Sequence, residues 1–140
     1  MNIQIFPSCL TGTVAAPPSK SVAHRAIICA ALSKKAVILR HIDFSDDIRA
    51  TIEAVKTLGK EVRAEKDIIH LRKDIISAKS DNIMIDCHES GSTARFIIPI
   101  LAVLGKMSTV TGRGKLPERH FAPIIDLLSA HEPLHSHRRF

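Results

Sequence analysis

Three stretches of this 140-residue chain place cationic and hydroxyl side chains where an apolar segment begins. In the first, PPSKSVAHR over residues 17–25, two prolines end an extended stretch, and Lys20 and Ser21 stand at the entrance of an apolar helix. The free backbone N–H groups of a helix start, together with its dipole, attract an anion. Lys20 adds a mobile positive charge, Ser21 a hydroxyl donor, and Arg25, one turn further on, a planar fork suited to phosphate or carboxylate. The plainer reading takes Ser21 as a helix cap and the two cations as solvated charges. Repetition favours the anion site. A second entrance, ESGSTAR over 89–95, brings Gly91 for close backbone approach, hydroxyls at Ser92 and Thr93, and another arginine, Arg95. The third, TGRGKLPER over 111–119, is a glycine-rich basic loop in which Arg119 can close over an anion, although surface loops are often basic for solubility alone.

Other candidates carry less. His131, His135 and His137 lie in a stretch with no scaffold to hold them, so no metal site is expected, and nothing calls for a cofactor. His24 reads as a packing or hydrogen-bonding residue beside the site, and His41, His70 and His88 have no local signature. Asp46 and Asp47 suit the first turn of a helix, which explains them without acid–base chemistry. Cys9, Cys29 and Cys87 form an odd set without CxxC spacing, which argues against disulfides and zinc and leads us to expect reduced, mostly buried thiols.

The elements that must position these residues follow from periodicity. Thr13 to Ala16 is a short apolar stretch stopped by Pro17 and Pro18, and reads as a strand. Residues 21–32 read as a helix apolar nearly all round, which should be buried. Residues 36–42 are β-branched and short, a strand. Ser45 caps a helix in which Ile48, Ile52 and Val55 recur at i, i+4, i+7 before Gly59 stops it. Two short strands follow, 61–64 and 68–71. From Asn82 the order begins again: strand 82–87, helix 91–104, strand 107–112, helix 121–130. The expectation is an α/β (α+β) chain of repeated β-α-β-α-β-β units, about 11–72 and 82–130, the second lacking its last two strands. The tail, 131–140, has no apolar period and is expected to lie outside that fold.

A hydrophobic content of 45% over this length supports one core. The greasiest segment is broken by Pro99 and Gly105, and the start shows no basic region followed by an apolar run, so a cytoplasmic protein without membrane contact is expected. The net charge of +6 suits anionic metabolites or nucleic acid, but with no Trp or Tyr there is little to stack on bases.

The string PPSKSVAHRAIICAAL is similar to the opening signature of 5-enolpyruvylshikimate-3-phosphate synthases; SDDIRATIEAVKTLG resembles that family's next helix, ESGSTARF its second signature and TGRGKLPER its third. The resemblance runs from about Leu10 to Leu128 and covers the beginning of the family's length. It implies a lobe of repeated units with helices inside and sheets outside, of which this chain holds less than two complete units. It implies small anionic substrates, with Lys20 catalytic and touching both, Ser21 and Arg25 holding shikimate 3-phosphate, and Gly91 and Arg119 binding phosphoenolpyruvate; Ser92 and Arg95 are secondary candidates. The family's acid–base groups belong largely to a second lobe. A truncated chain is therefore expected to have negligible turnover and to self-associate through uncovered surface. Ser19, Glu89 and His120 depart from the residues many members carry there. A UDP-sugar enolpyruvyl transferase and a basic nucleic-acid-binding module are the alternatives.

Overall fold

A computed structural model describes residues 3–9, 11–72, 75, 82–105 and 107–130. Its order is α1 (Lys20–Leu32), β1 (Val37–Leu39), α2 (Asp46–Thr57), β2 (Glu61–Glu65), β3 (Ile68–Arg72), β4 (Asn82–Asp86), α3 (Gly91–Leu104), β5 (Met107–Thr111) and α4 (Ala122–Ala130). The chain is mixed α/β, as expected.

Local chemistry sets the boundaries. Ser19 caps α1, its hydroxyl accepting from the Val22 N–H, so the helix begins at Lys20 rather than at Ser21. The strand expected over 36–42 shrinks to Val37–Leu39, because His41 takes a left-handed φ of 60° and the Ile42 N–H turns to the Asp67 carbonyl. α2 runs as its period predicts, with Gly59 (φ 99°) just beyond its end; Ser45 holds the cap position, but its hydroxyl makes no cap hydrogen bond. α3 contains Pro99 and is closed by Gly105 in the left-handed region.

Two sheets result. β1, β3 and β2 form an antiparallel sheet with β3 central, and β4 pairs in parallel with β5 across the α3 connection. α1, α2 and α3 touch one another, α2 also meets β2 and β4, and α3 meets β5. The core lies between helices and sheets: Ile27, Ile48, Val55, Leu58, Ile69, Leu71, Ile85 and Ile97 are fully buried. Lys60 is buried as well, its ammonium donating to the Ser33 carbonyl at the C-terminal end of α1, where the helix dipole welcomes a cation.

Three expectations are corrected. Residues 13–16 form no strand and are exposed; no partner strand among the described residues lies beside them, and Pro17 and Pro18, which have no N–H to donate, keep a ladder from continuing past them. α1 is not buried all round, since Val22 (59% exposed) and Leu32 (52%) face outward. Of the cysteines, Cys9 and Cys29 are exposed and only Cys87 is buried. The tail histidines and the segment between β3 and β4 lie outside the described residues, apart from Ile75.

Candidate functional site

The N-terminal halves of α1, α2 and α3 are joined by one run of buried polar side chains. His24 Nδ1 lies 2.7 Å from Thr51 Oγ1, Thr51 Oγ1 lies 2.7 Å from Thr93 Oγ1, and Thr93 Oγ1 donates to Ser90 Oγ at 2.7 Å. Each hydroxyl has one proton, so an Nδ1–H on His24 lets the whole run donate in one direction, from α1 through α2 to the cap of α3. Burial pushes the His24 pKa down, with Asp47 opposing and Lys20 adding slightly, which favours the neutral ring this arrangement needs. His24 is a packed, hydrogen-bonding residue, as expected.

This stitching brings the two predicted helix entrances to one end of the molecule. At α3, Ser90 is buried and caps the helix by accepting from the Thr93 N–H at 3.2 Å. Arg119 reaches back over Gly91 so closely that a Cβ there would strike its Nη1 and sit 3.3 Å from its Cζ. Only glycine leaves room for that guanidinium. At α1, Lys20 is exposed and its Nζ stands 3.9 Å from Asp47 Oδ2.

The loops that carry these groups are joined to each other. The Cys87 N–H donates to the Thr111 carbonyl and the Arg113 N–H to the His88 carbonyl, while the Glu89 carboxylate leans on Gly114, which has a φ of 57°. An open cleft of about 930 Å³ lies here, bounded by Lys20, α2 residues from Ser45 to Glu53, and His88, Glu89 and Arg113.

The structure brings some of the residues singled out in the sequence together and leaves others apart. Gly91 and Arg119 are in contact, and Lys20 lines the cleft. Ser21, Arg25 and Ser92 are exposed, and they lie outside that lining together with Gly91 and Arg119. Arg95 is drawn away, its guanidinium 5.8 Å from the centre of the Phe121 ring. The cleft wall itself is not the purely cationic surface that the motifs suggest: Asp46, Asp47, Glu53 and Glu89 face Lys20, Arg49 and Arg113. Arg49, Glu53 and His88 gave no signal in sequence because nothing local marks a residue that meets its partners only after folding. Arg113 did lie within the third motif. Cys87, at the end of β4, is held at about 11 by burial and then by Asp86, so it is an inert thiol near neutral pH. Among the described residues no cluster of His, Cys, Asp or Glu can hold a metal, and no helix is long and apolar enough to cross a membrane.

Comparison with known proteins shows the relatives of this chain. Residues 6–132 match the family described as EPSP synthase (3-phosphoshikimate 1-carboxyvinyltransferase). A 3-phosphoshikimate 1-carboxyvinyltransferase from Clostridium perfringens is 44% identical over 136 residues, covering 97% of this chain and 32% of that protein. Its namesake from Clostridium beijerinckii is 44% identical over 84% of this chain and 28% of its own length. Another from Clostridioides difficile is 41% identical over 84% of this chain and 29% of its own length. The chain thus spans about a third of the length of the curated relatives it matches.

Proposed function

This chain belongs to the EPSP synthase family, and from that premise we propose that it supplies the anion-binding part of a site for enolpyruvyl transfer from phosphoenolpyruvate to the 5-hydroxyl of shikimate 3-phosphate. Ser21 and Arg25 hold shikimate 3-phosphate, Gly91 and Arg119 hold phosphoenolpyruvate, and Lys20 reaches both. In the reaction the 5-hydroxyl gives up its proton and adds to C2 of phosphoenolpyruvate as C3 is protonated; phosphate then leaves the tetrahedral adduct as C3 loses a proton, which restores the C2–C3 double bond. Two substrates that each carry phosphate and carboxylate repel one another, so clustered guanidinium, ammonium and helix N-termini are what the reaction requires.

The observation that carries this reading is the seat of the Arg119 guanidinium on Gly91, at the end of a hydrogen-bonded run that also fixes the helix beginning at Lys20. The carboxylates of the cleft wall temper its positive charge, so strong binding calls for further cations from the part of the relatives' length that this chain does not cover. Calorimetry with shikimate 3-phosphate tests the reading: measurable heats that Lys20→Ala abolishes support it, and indistinguishable heats count against it. A phosphate-release assay on the 140-residue chain alone should show negligible turnover.

The lobe assigned here is residues 1–130, in two units of about 11–72 and 82–130, with helices inside and sheets outside. The exposed apolar side chains Val103, Met107, Ile125 and Leu127 support self-association of the chain, which a sedimentation run giving a monomer at all concentrations would overturn.

A further inference from the structure

Resting on the anion-site reading above, we propose that His88 is a positioning residue whose protonation tightens the loops that present Gly91 and Arg119. Its backbone takes a left-handed φ of 51°, a conformation that disfavours any side chain and persists only when its surroundings hold it. Three contacts do so. The His88 N–H donates to Asp86 Oδ1 at 2.7 Å, its carbonyl accepts the Arg113 N–H at 2.8 Å, and its ring Nε2 lies 3.2 Å from Glu53 Oε2 and 3.8 Å from Asp86 Oδ2. One residue therefore joins α2, the end of β4 and the loop after β5.

The ring contact differs from the other two because it depends on a proton. Glu53 and Asp86 both approach the same nitrogen, and an imidazolium between two carboxylates attracts both. A neutral ring can still donate one N–H to Glu53, but it brings no positive charge to offset the repulsion between the two anions. The surrounding charges are accounted for. Asp47 faces Lys20, the Arg49 guanidinium lies 5.7 Å from the centre of the Phe44 ring, and Glu89 rests on Gly114. Asp46 and Arg113 complete the charged rim of the cleft. The ring is only 23% exposed, whereas the Glu53 side chain is 58% exposed, so the tie is partly screened by water and its effect is modest.

The Arg113 amide reports the tie directly, because its N–H donates to the His88 carbonyl. Hydrogen exchange of that amide, corrected for intrinsic rates, should show about threefold to fivefold greater protection at pH 5.5 than at pH 8 in the 140-residue chain. His88→Gln and Glu53→Gln should each flatten this ratio. His88→Gly, which suits the left-handed backbone and so keeps the loop folded, should flatten it too. A wild-type ratio near one, or a ratio that survives in His88→Gln, overturns the proposal. The readout needs no ligand, so a protein that ignores shikimate 3-phosphate sinks the preceding reading without changing this result.

Discussion

The two halves of the chain bury their apolar surface to different degrees. From α1 to β3, an antiparallel three-stranded sheet closes against two helices, and the inward side chains of its central strand, Ile69 and Leu71, are fully buried. From β4 to α4 a two-stranded parallel sheet sets Ile83 and Ile85 inward, yet Met84, Val103, Met107, Ile125 and Leu127 remain more than half exposed, against Val22, Leu32 and Ile38 between α1 and β3. The candidate site lies on the seam: Lys20 comes from the closed half, Gly91 and Arg119 from the open one. The contrast teaches that the site is held by the hydroxyl run between the halves and by loop-to-loop hydrogen bonds, not by a shared sheet.

The largest effect should come from the closed half. Leu71→Ala should cost about 2–5 kcal/mol in urea unfolding, whereas Leu127→Ala on α4 should cost about 0.5 kcal/mol or less. Equal losses would abolish the distinction. Next comes the seam. Thr93→Val removes a hydroxyl that bonds to both Thr51 and Ser90, and the stranded partners should cost about 1–3 kcal/mol in the same measurement. A change within error would mean that the run does not join the halves.

Gly91→Ala sharpens the comparison from the open side. The new methyl meets the far end of a flexible arginine, so the fold should survive while Arg119 is displaced. Stability should fall by less than about 1 kcal/mol, and affinity for phosphoenolpyruvate should drop about tenfold by calorimetry. Unchanged affinity would separate Gly91 from the site. The smallest effect concerns pH. The folded pKa of His24 lies below its ordinary 6.5, so the unfolded chain takes up that proton first. The stability held by the neutral ring is complete above pH 6.5 and is lost as pH falls toward the lower folded value. In His24→Asn the decline of the unfolding midpoint with acid should be shallower over that window; an identical slope would assign the acid sensitivity to carboxylates.

The fold was legible where local chemistry agrees with packing. Ser45, the i, i+4, i+7 isoleucines and valine, and Gly59 defined α2, and residues 91–104 formed the helix expected of them. Legibility failed where a distant partner decides. Residues 13–16 have strand composition but no neighbouring strand to pair with, and β1 ends early because His41 turns the chain. The same divide runs through the site. Glycine, serine, lysine and arginine at helix entrances could be read directly, and Gly91 and Arg119 do meet. The acidic wall could not, because Asp46 and Asp47 looked sufficient as first-turn residues and Glu53 turns toward His88 only once α2 packs beside β4.

Lys60 has a consequence for chemistry carried out on the intact molecule. Its amine is enclosed where α1 ends, whereas that of Lys20 stands in solvent. An acylating reagent therefore reaches Lys20 directly from solvent but reaches Lys60 only when that end of α1 parts from the start of β2. The ratio of the two labelling rates is a built-in clock for the opening of the closed half, and it runs without any ligand.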